Sequence, residues 1–148
     1  MSSLIPSLIR SAYEYNVPIL ALETEYLHDP FSFLAVDPPS VLITAIKEIE
    51  PNLPDAPDWC HNPSMGELAY IVRCVELEGC SQSVTLRLNP KINLKAVQEV
   101  DLLERIRENG IESQSVTFEG QQIKFPIKPY EIKSILLCAR IPLEDPPK

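Results

Sequence analysis

Four cysteines, two histidines and several close pairs of acids are the residues through which this chain could do chemistry. A structural zinc site wants neighbouring ligands at spacings such as C-x2-C or H-x3-H, so that both reach one tetrahedral ion. Cys60-His61 is adjacent, and Cys74-x5-Cys80 spans an expected strand and its turn, so neither spacing serves. With His28 and His61 alone, a site of several imidazoles is excluded, and no residue is assigned as a metal ligand. A Cys–His nucleophile needs a thiol in an electropositive, partly exposed pocket. Cys60 and His61 stand instead in an acidic loop, and successive side chains of extended chain point apart. Cys74 and Cys138 fall in apolar segments and read as small core residues.

Paired carboxylates are the other route to hydrolytic chemistry. Glu23 and Glu25, Glu76 and Glu78, and Asp101 and Glu104 qualify by proximity. Each pair lies near a strand end or turn, and the expectation for all of them is a solvated acid. No G-x-S-x-G elbow, Walker loop or G-x-G-x-x-G occurs, and four glycines leave little material for a phosphate cradle. No catalytic and no cofactor-binding residue is therefore assigned. Arg73 stands apart. It sits mid-strand among Ile71, Val72, Cys74 and Val75, where an unpaired guanidinium is costly. Structural pairing is expected, with Glu76 or Asp101 as partner.

The elements that would position these residues follow from composition and period. A chain of 148 residues predicts one domain, 1–148, large enough to bury a core without staples. Fifteen prolines against four glycines cut it into short extended pieces. The formal charge of −8 repels phosphate backbones and anionic lipid, and the scattered cations form no stripe, so neither nucleic acid nor membrane is an expected partner. No apolar run approaches the roughly 20 residues of a membrane span. No secretory leader opens the sequence, and the sparse cysteines read as reduced thiols, which makes a cytoplasmic location the expectation.

Residues 1–16 read as the N-terminal helix, with Leu4, Ile5, Leu8, Ile9, Ala12 and Tyr13 on one face. Ser2 or Ser3 is the expected cap, Pro6 falls in the first turn, and Asn16-Val17-Pro18 ends the helix. Residues 17–49 carry the first strands, at Ile19–Glu23, Phe31–Val36 and Val41–Ile49, with a rigid turn at Asp37-Pro38-Pro39-Ser40. Residues 50–66 are a Pro- and Asp-rich loop pinned by Trp59. Residues 67–141 hold the main strands. Leu68–Leu77 is apolar on both parities, as in a strand buried on two faces. Val84, Leu86 and Leu88 alternate with polar residues, Ala96–Leu103 follows, and a charged corner runs from Glu104 to Gly110. Val116 and Phe118 lead through the turn Glu119-Gly120-Gln121 to Ile123, Phe125 and Ile127, and Tyr130–Ala139 closes the domain. Residues 142–148 form a tail expected to fray. The fold class is all-β, an antiparallel β-sandwich with one N-terminal helix.

Several of these segments, taken in order, resemble one family. Ile71-Val72-Arg73-Cys74-Val75-Glu76 is similar to the V-R-L-Y-E strand of the family-38 glycoside hydrolases, the α-mannosidases, with Cys74 in place of leucine and Val75 in place of an aromatic residue. Glu99-Val100-Asp101-Leu102-Leu103-Glu104-Arg105 resembles the E-x-D-L-L-E-R of that family, and Ile127-Lys128-Pro129-Tyr130-Glu131-Ile132-Lys133-Ser134-Ile135-Leu136-Leu137 its P-F-E-I-K-T-L final strand. Upstream, Ala12-Tyr13-Glu14-Tyr15-Asn16-Val17-Pro18, Ser32-Phe33-Leu34-Ala35-Val36-Asp37 and Val41 to Glu50 resemble A-Y-E-x-N-x-P, S-F-x-x-x-D and V-x-x-T-A-x-K-x-x-E. The resemblance implies a C-terminal β-sandwich whose partner is a catalytic domain elsewhere. It also implies that zinc belongs to that catalytic domain, held by histidines and aspartates that include a His-x-Asp motif. Here His28 is followed directly by Asp29, and His61 by Asn62 and Pro63, so no ligand carries over. Self-association through the N-terminal helix is the other expected contact. A free-standing sandwich that binds carbohydrate or protein is the alternative function.

Overall fold

The computed structural model describes residues 4–17, 31–49, 67–106 and 116–140. The expected strand at Ile19–Glu23, the loop 50–66 with Trp59, Cys60 and His61, the pair Glu23 and Glu25, His28 and the tail 142–148 lie outside the described residues.

One helix, α1 (Ile5–Asn16), precedes eight strands: β1 (Leu34–Asp37), β2 (Val41–Glu48), β3 (Glu67–Glu76), β4 (Gln82–Leu88), β5 (Asn93–Val100), β6 (Thr117–Glu119), β7 (Gln122–Ile127) and β8 (Ile132–Arg140). They form two antiparallel four-stranded sheets, in the orders β1-β4-β7-β6 and β2-β3-β8-β5. The short turns after β1, β3, β4 and β7 each carry the chain from one sheet to the other. The antiparallel β-sandwich with one N-terminal helix is the fold that period two and the proline punctuation predict.

The helix begins later than its sequence suggests. Its N-cap is Leu4, without a side-chain hydrogen bond, and not Ser2 or Ser3. Pro6 in the first turn has no N–H, so one of the donors that a cap would satisfy does not exist. The Ser7 hydroxyl turns back and donates to Leu4 O at 2.9 Å.

Alternation predicts the inner faces correctly. Val84, Leu86 and Leu88 of β4 and Ile123, Phe125 and Ile127 of β7 are buried against Val72, Cys74, Ile135, Leu137 and Ala139 of the opposing sheet. A second cluster, Ile49, Ala69, Ile71, Val100 and Leu136, lies on the outer side of β2-β3-β8-β5, with Ile106 packed on it. The central strands β3 and β8 thus have apolar contacts on both faces, which explains the double parity of their sequences. Pro126 is tolerated in β7 because, among the described residues, β6 pairs only with Gln122–Lys124, leaving β7 locally an edge.

Two strand starts differ by three residues. The strand expected at Phe31–Val36 is Leu34–Asp37, and Phe33 instead meets Tyr70 edge-on, with ring centroids 5.2 Å apart. The strand expected at Ala96–Leu103 is Asn93–Val100. Leu94 pairs across to Ala139 and is buried, which draws in the start, and the hydrogen bonds of Asp101 end the strand at its other side.

Candidate functional site

Glu76 is the most heavily committed side chain among the described residues, and the expectation of a solvated acid fails for it. It ends β3 at an inward-facing position opposite Val41, and it is 1% exposed. Its Oε1 accepts the Glu78 N–H at 2.8 Å and the Gln82 Nε2 at 3.0 Å. Its Oε2 accepts the N–H groups of Gly79 at 2.7 Å, Tyr130 at 3.0 Å and Cys80 at 3.3 Å. Burial raises the Glu76 pKa, but the N–H donors of Tyr130, Glu78, Gly79 and Cys80 outweigh it and hold the carboxyl below the usual glutamate range. Gln82 in turn accepts the Ser40 hydroxyl at 2.9 Å. One carboxylate therefore knots the turn after β3 to the turn after β7 and, through Gln82, to the start of β2. A carboxylate with its acceptor positions filled by backbone donors holds structure and has little left for a substrate.

The turn can wrap the carboxylate only because residue 79 is glycine. Gly79 has φ +74°, and a Cβ there would stand 2.6 Å from the Tyr130 ring. Gly79→Ala is expected to lower unfolding free energy by about 1–2 kcal/mol, the usual cost of a left-handed backbone with a Cβ. Urea denaturation measures it, and an unchanged midpoint would contradict the strain.

The second acid pair, Asp101 and Glu104, is also turned to structural use. Asp101 Oδ1 accepts the N–H groups of Leu103 at 2.8 Å and Arg105 at 3.0 Å, while Oδ2 meets the Arg105 guanidinium at 2.9 and 3.0 Å. The Arg105 N–H bond leads the effects that hold the Asp101 carboxyl below its ordinary range. Glu104 adopts a left-handed φ of 68° and turns its carboxylate onto the outer face of the second sheet, 2.6 Å from Lys47 Nζ and 3.7 Å from Arg73 Nη2. Arg73 also donates to Ser134 Oγ at 3.2 Å and Leu102 O at 3.4 Å. The paired-arginine expectation holds, but the partner is Glu104 and neither Glu76 nor Asp101. Both of those carboxylates already serve turns. Leu102 and Leu103, at the tip of this corner, face outward.

The remaining candidates do not converge. Cys74 is buried between the sheets and burial pushes its thiol up to about 12, so it is inert as a nucleophile at neutral pH. Cys138 is buried as well, and Cys80 is exposed. Among the described residues no group of three or more His, Cys, Asp or Glu side chains is arranged to hold a metal. No helix among them is long and apolar enough to cross a membrane. A cleft of about 410 Å³ beside the β6–β7 turn includes Arg87, Glu119, Gln121 and Gln122, with Arg87 directed at Asp37, 3.5 Å away. Sequence reasoning missed a second buried charge as well. Lys133, 7% exposed, lies 3.2 Å from Glu99 and 3.9 Å from Glu131.

Among the described residues, the acids Glu76, Asp101 and Glu104 are thus held in turns and an ion-pair cluster. A family model, "Glycosyl hydrolases family 38 C-terminal beta sandwich domain", matches residues 40–135. No curated protein and no solved structure matches the chain. The matched span runs from the start of β2 into β8 and takes in Glu76, the Asp101–Arg105 corner and Arg73.

Proposed function

The chain belongs to the family of C-terminal β-sandwich domains of family-38 glycosyl hydrolases, and from that premise we propose that it is an accessory part of an α-mannosidase-like enzyme. In this reading it supports a catalytic domain carried by other residues. The family match over residues 40–135 is the observation that carries it. The chemistry of three described acids supports it: Glu76, Asp101 and Glu104 are engaged in turns and ion pairs. The thiols Cys74 and Cys80 suit a reducing, cytoplasmic setting.

The test uses the purified chain with an aryl α-mannoside. Alone it is expected to show no turnover and to hold no stoichiometric zinc. Mixed with the catalytic portion of a family-38 enzyme from the same genome, it is expected to raise the thermal midpoint of that portion, because a ligand of the folded state stabilises it by mass action. Turnover by the chain alone, with one zinc tightly retained, would overturn the accessory role.

A further inference from the structure

The corner after β5 reaches across the outer face of its own sheet. That sheet runs β2-β3-β8-β5, so β5 and β2 are its opposite edges. Glu104 stands just beyond β5, yet its carboxylate meets Arg73 on β3, 3.7 Å away, and Lys47 on β2, 2.6 Å away. Arg73 also donates to Leu102 O of the corner and to Ser134 Oγ of β8. Residues 101–105 therefore tie the β5 edge to the other three strands. Asp101 is taken up by Arg105, which leaves Glu104 as the acid that faces both cations.

Two features set this segment apart from an ordinary turn. Its backbone bonds close on itself. The Asp101 N–H donates to Arg105 O, the Glu104 N–H to Asp101 O, and the Leu103 and Arg105 N–H groups to Asp101 Oδ1, all at 2.8–3.0 Å. Val100 and Ile106 bridge across its base. A segment bonded in this way opens as one cooperative piece. The second feature is Glu104 itself, a residue with a Cβ held at φ 68°. Such backbone persists only where its surroundings enforce it, and it concentrates at clamps and switches. The ties that aim Glu104 at the sheet are ionic and reach water, since the Lys47 and Arg73 side chains are 54% and 30% exposed. Ties of that kind are weak and are screened by salt.

We propose that residues 101–106 form a strap that opens and closes with ionic strength, and that Glu104 is its latch. Closed, it lays Ile106 on the outer apolar cluster and gathers Lys47 and Arg73 onto one acid. Open, it frees both cations and lets Glu104 return to ordinary backbone. The opening is local, because the core between the two sheets is built from other residues.

Amide hydrogen exchange of the full chain, followed by NMR and corrected for intrinsic rates, is the test. Sodium chloride is raised from about 10 mM to about 1 M, which shortens the screening length from about 30 Å to about 3 Å. The amides of Leu103, Glu104 and Arg105 are expected to share one opening, at least about tenfold more frequent than that of the central amides of β3 and β8. High salt is expected to speed the corner amides at least about fivefold and to leave those central amides unchanged. Glu104→Gln should give the same acceleration at low salt and abolish the salt response. Lys47→Gln should give a smaller one, and adding it to Glu104→Gln should change nothing further. Lys47 is exposed, so its variant reads the latch even where Glu104→Gln disturbs folding. Corner amides that exchange only together with the sheet centre would overturn the strap, since the segment would then open by global unfolding alone. Corner rates within twofold of wild type in both single variants, a salt response that survives Glu104→Gln, or additive effects of the two substitutions would each refute Glu104 as the latch.

Discussion

Glu76→Ala is expected to remove at least about 3 kcal/mol of unfolding free energy, far more than an average turn substitution. Five donors lie within 2.7–3.3 Å of its oxygens, and four of them are backbone N–H groups that cannot turn to other work. An orphaned buried donor costs about 1–3 kcal/mol, and water entering the space recovers only part of it. Glu76→Gln should cost less, since its amide oxygen still accepts, but its NH2 would face donors. The acid dependence carries a definite sign. The folded-state pKa is held below the ordinary glutamate range, so the stabilisation is complete above that range. It is lost as pH falls through the lowered folded value. The stability gap between wild type and Glu76→Gln in urea should therefore be widest near neutrality and should narrow as pH falls below the ordinary glutamate range. A gap that stays constant with pH would show that the Glu76 charge contributes nothing.

That knot was not legible in the sequence, and the reason is physical. An acid at a strand end followed by Glu78-Gly79-Cys80 has the same sequence whether it faces water or curls into its own turn. Its remaining backbone partner, Tyr130, lies 54 residues away. The usable signal was Gly79 three residues after Glu76, in a chain with few glycines. The strands themselves were readable, because one buried face imposes alternation on Val84–Leu88 and Ile123–Ile127 whatever the topology. Double burial was readable in β3 for the same reason. For Arg73 the sequence favoured a carboxylate partner but could not choose among neighbours. That choice depends on the left-handed turn at Glu104, which lays one acid on the outer face of the sheet while Asp101 caps the corner. The helix was readable from its period. Which part of its broad apolar surface meets the sandwich was decided by Pro6 and Arg10, two residues outside the usual hydrophobic count.

Lys133→Ala is the other substitution expected to have a large effect, about 3 kcal/mol or more of lost stability. Lys133 pairs with Cys74 across β3 and β8, at the end of the inner face, and its ammonium is almost wholly removed from water. Glu99, 3.2 Å away, and Glu131, 3.9 Å away, share that position, with the Glu99 side chain only 13% exposed. Deleting the cation leaves two acids close together in poorly hydrated surroundings, which is costlier than the pair itself was favourable. Lys133→Met/Glu99→Leu separates the two contributions. Removing both charges while keeping volume should restore most of the loss, since apolar replacements of buried ion pairs are often neutral or better. A second check is salt. A pair this sheltered is weakly screened, so sodium chloride should change the wild-type midpoint little and leave the Lys133→Ala deficit largely intact. If the single variant melts within a degree of wild type, or the double variant is worse than the single, Lys133 is not the buried counter-charge that joins β5 to the final strand.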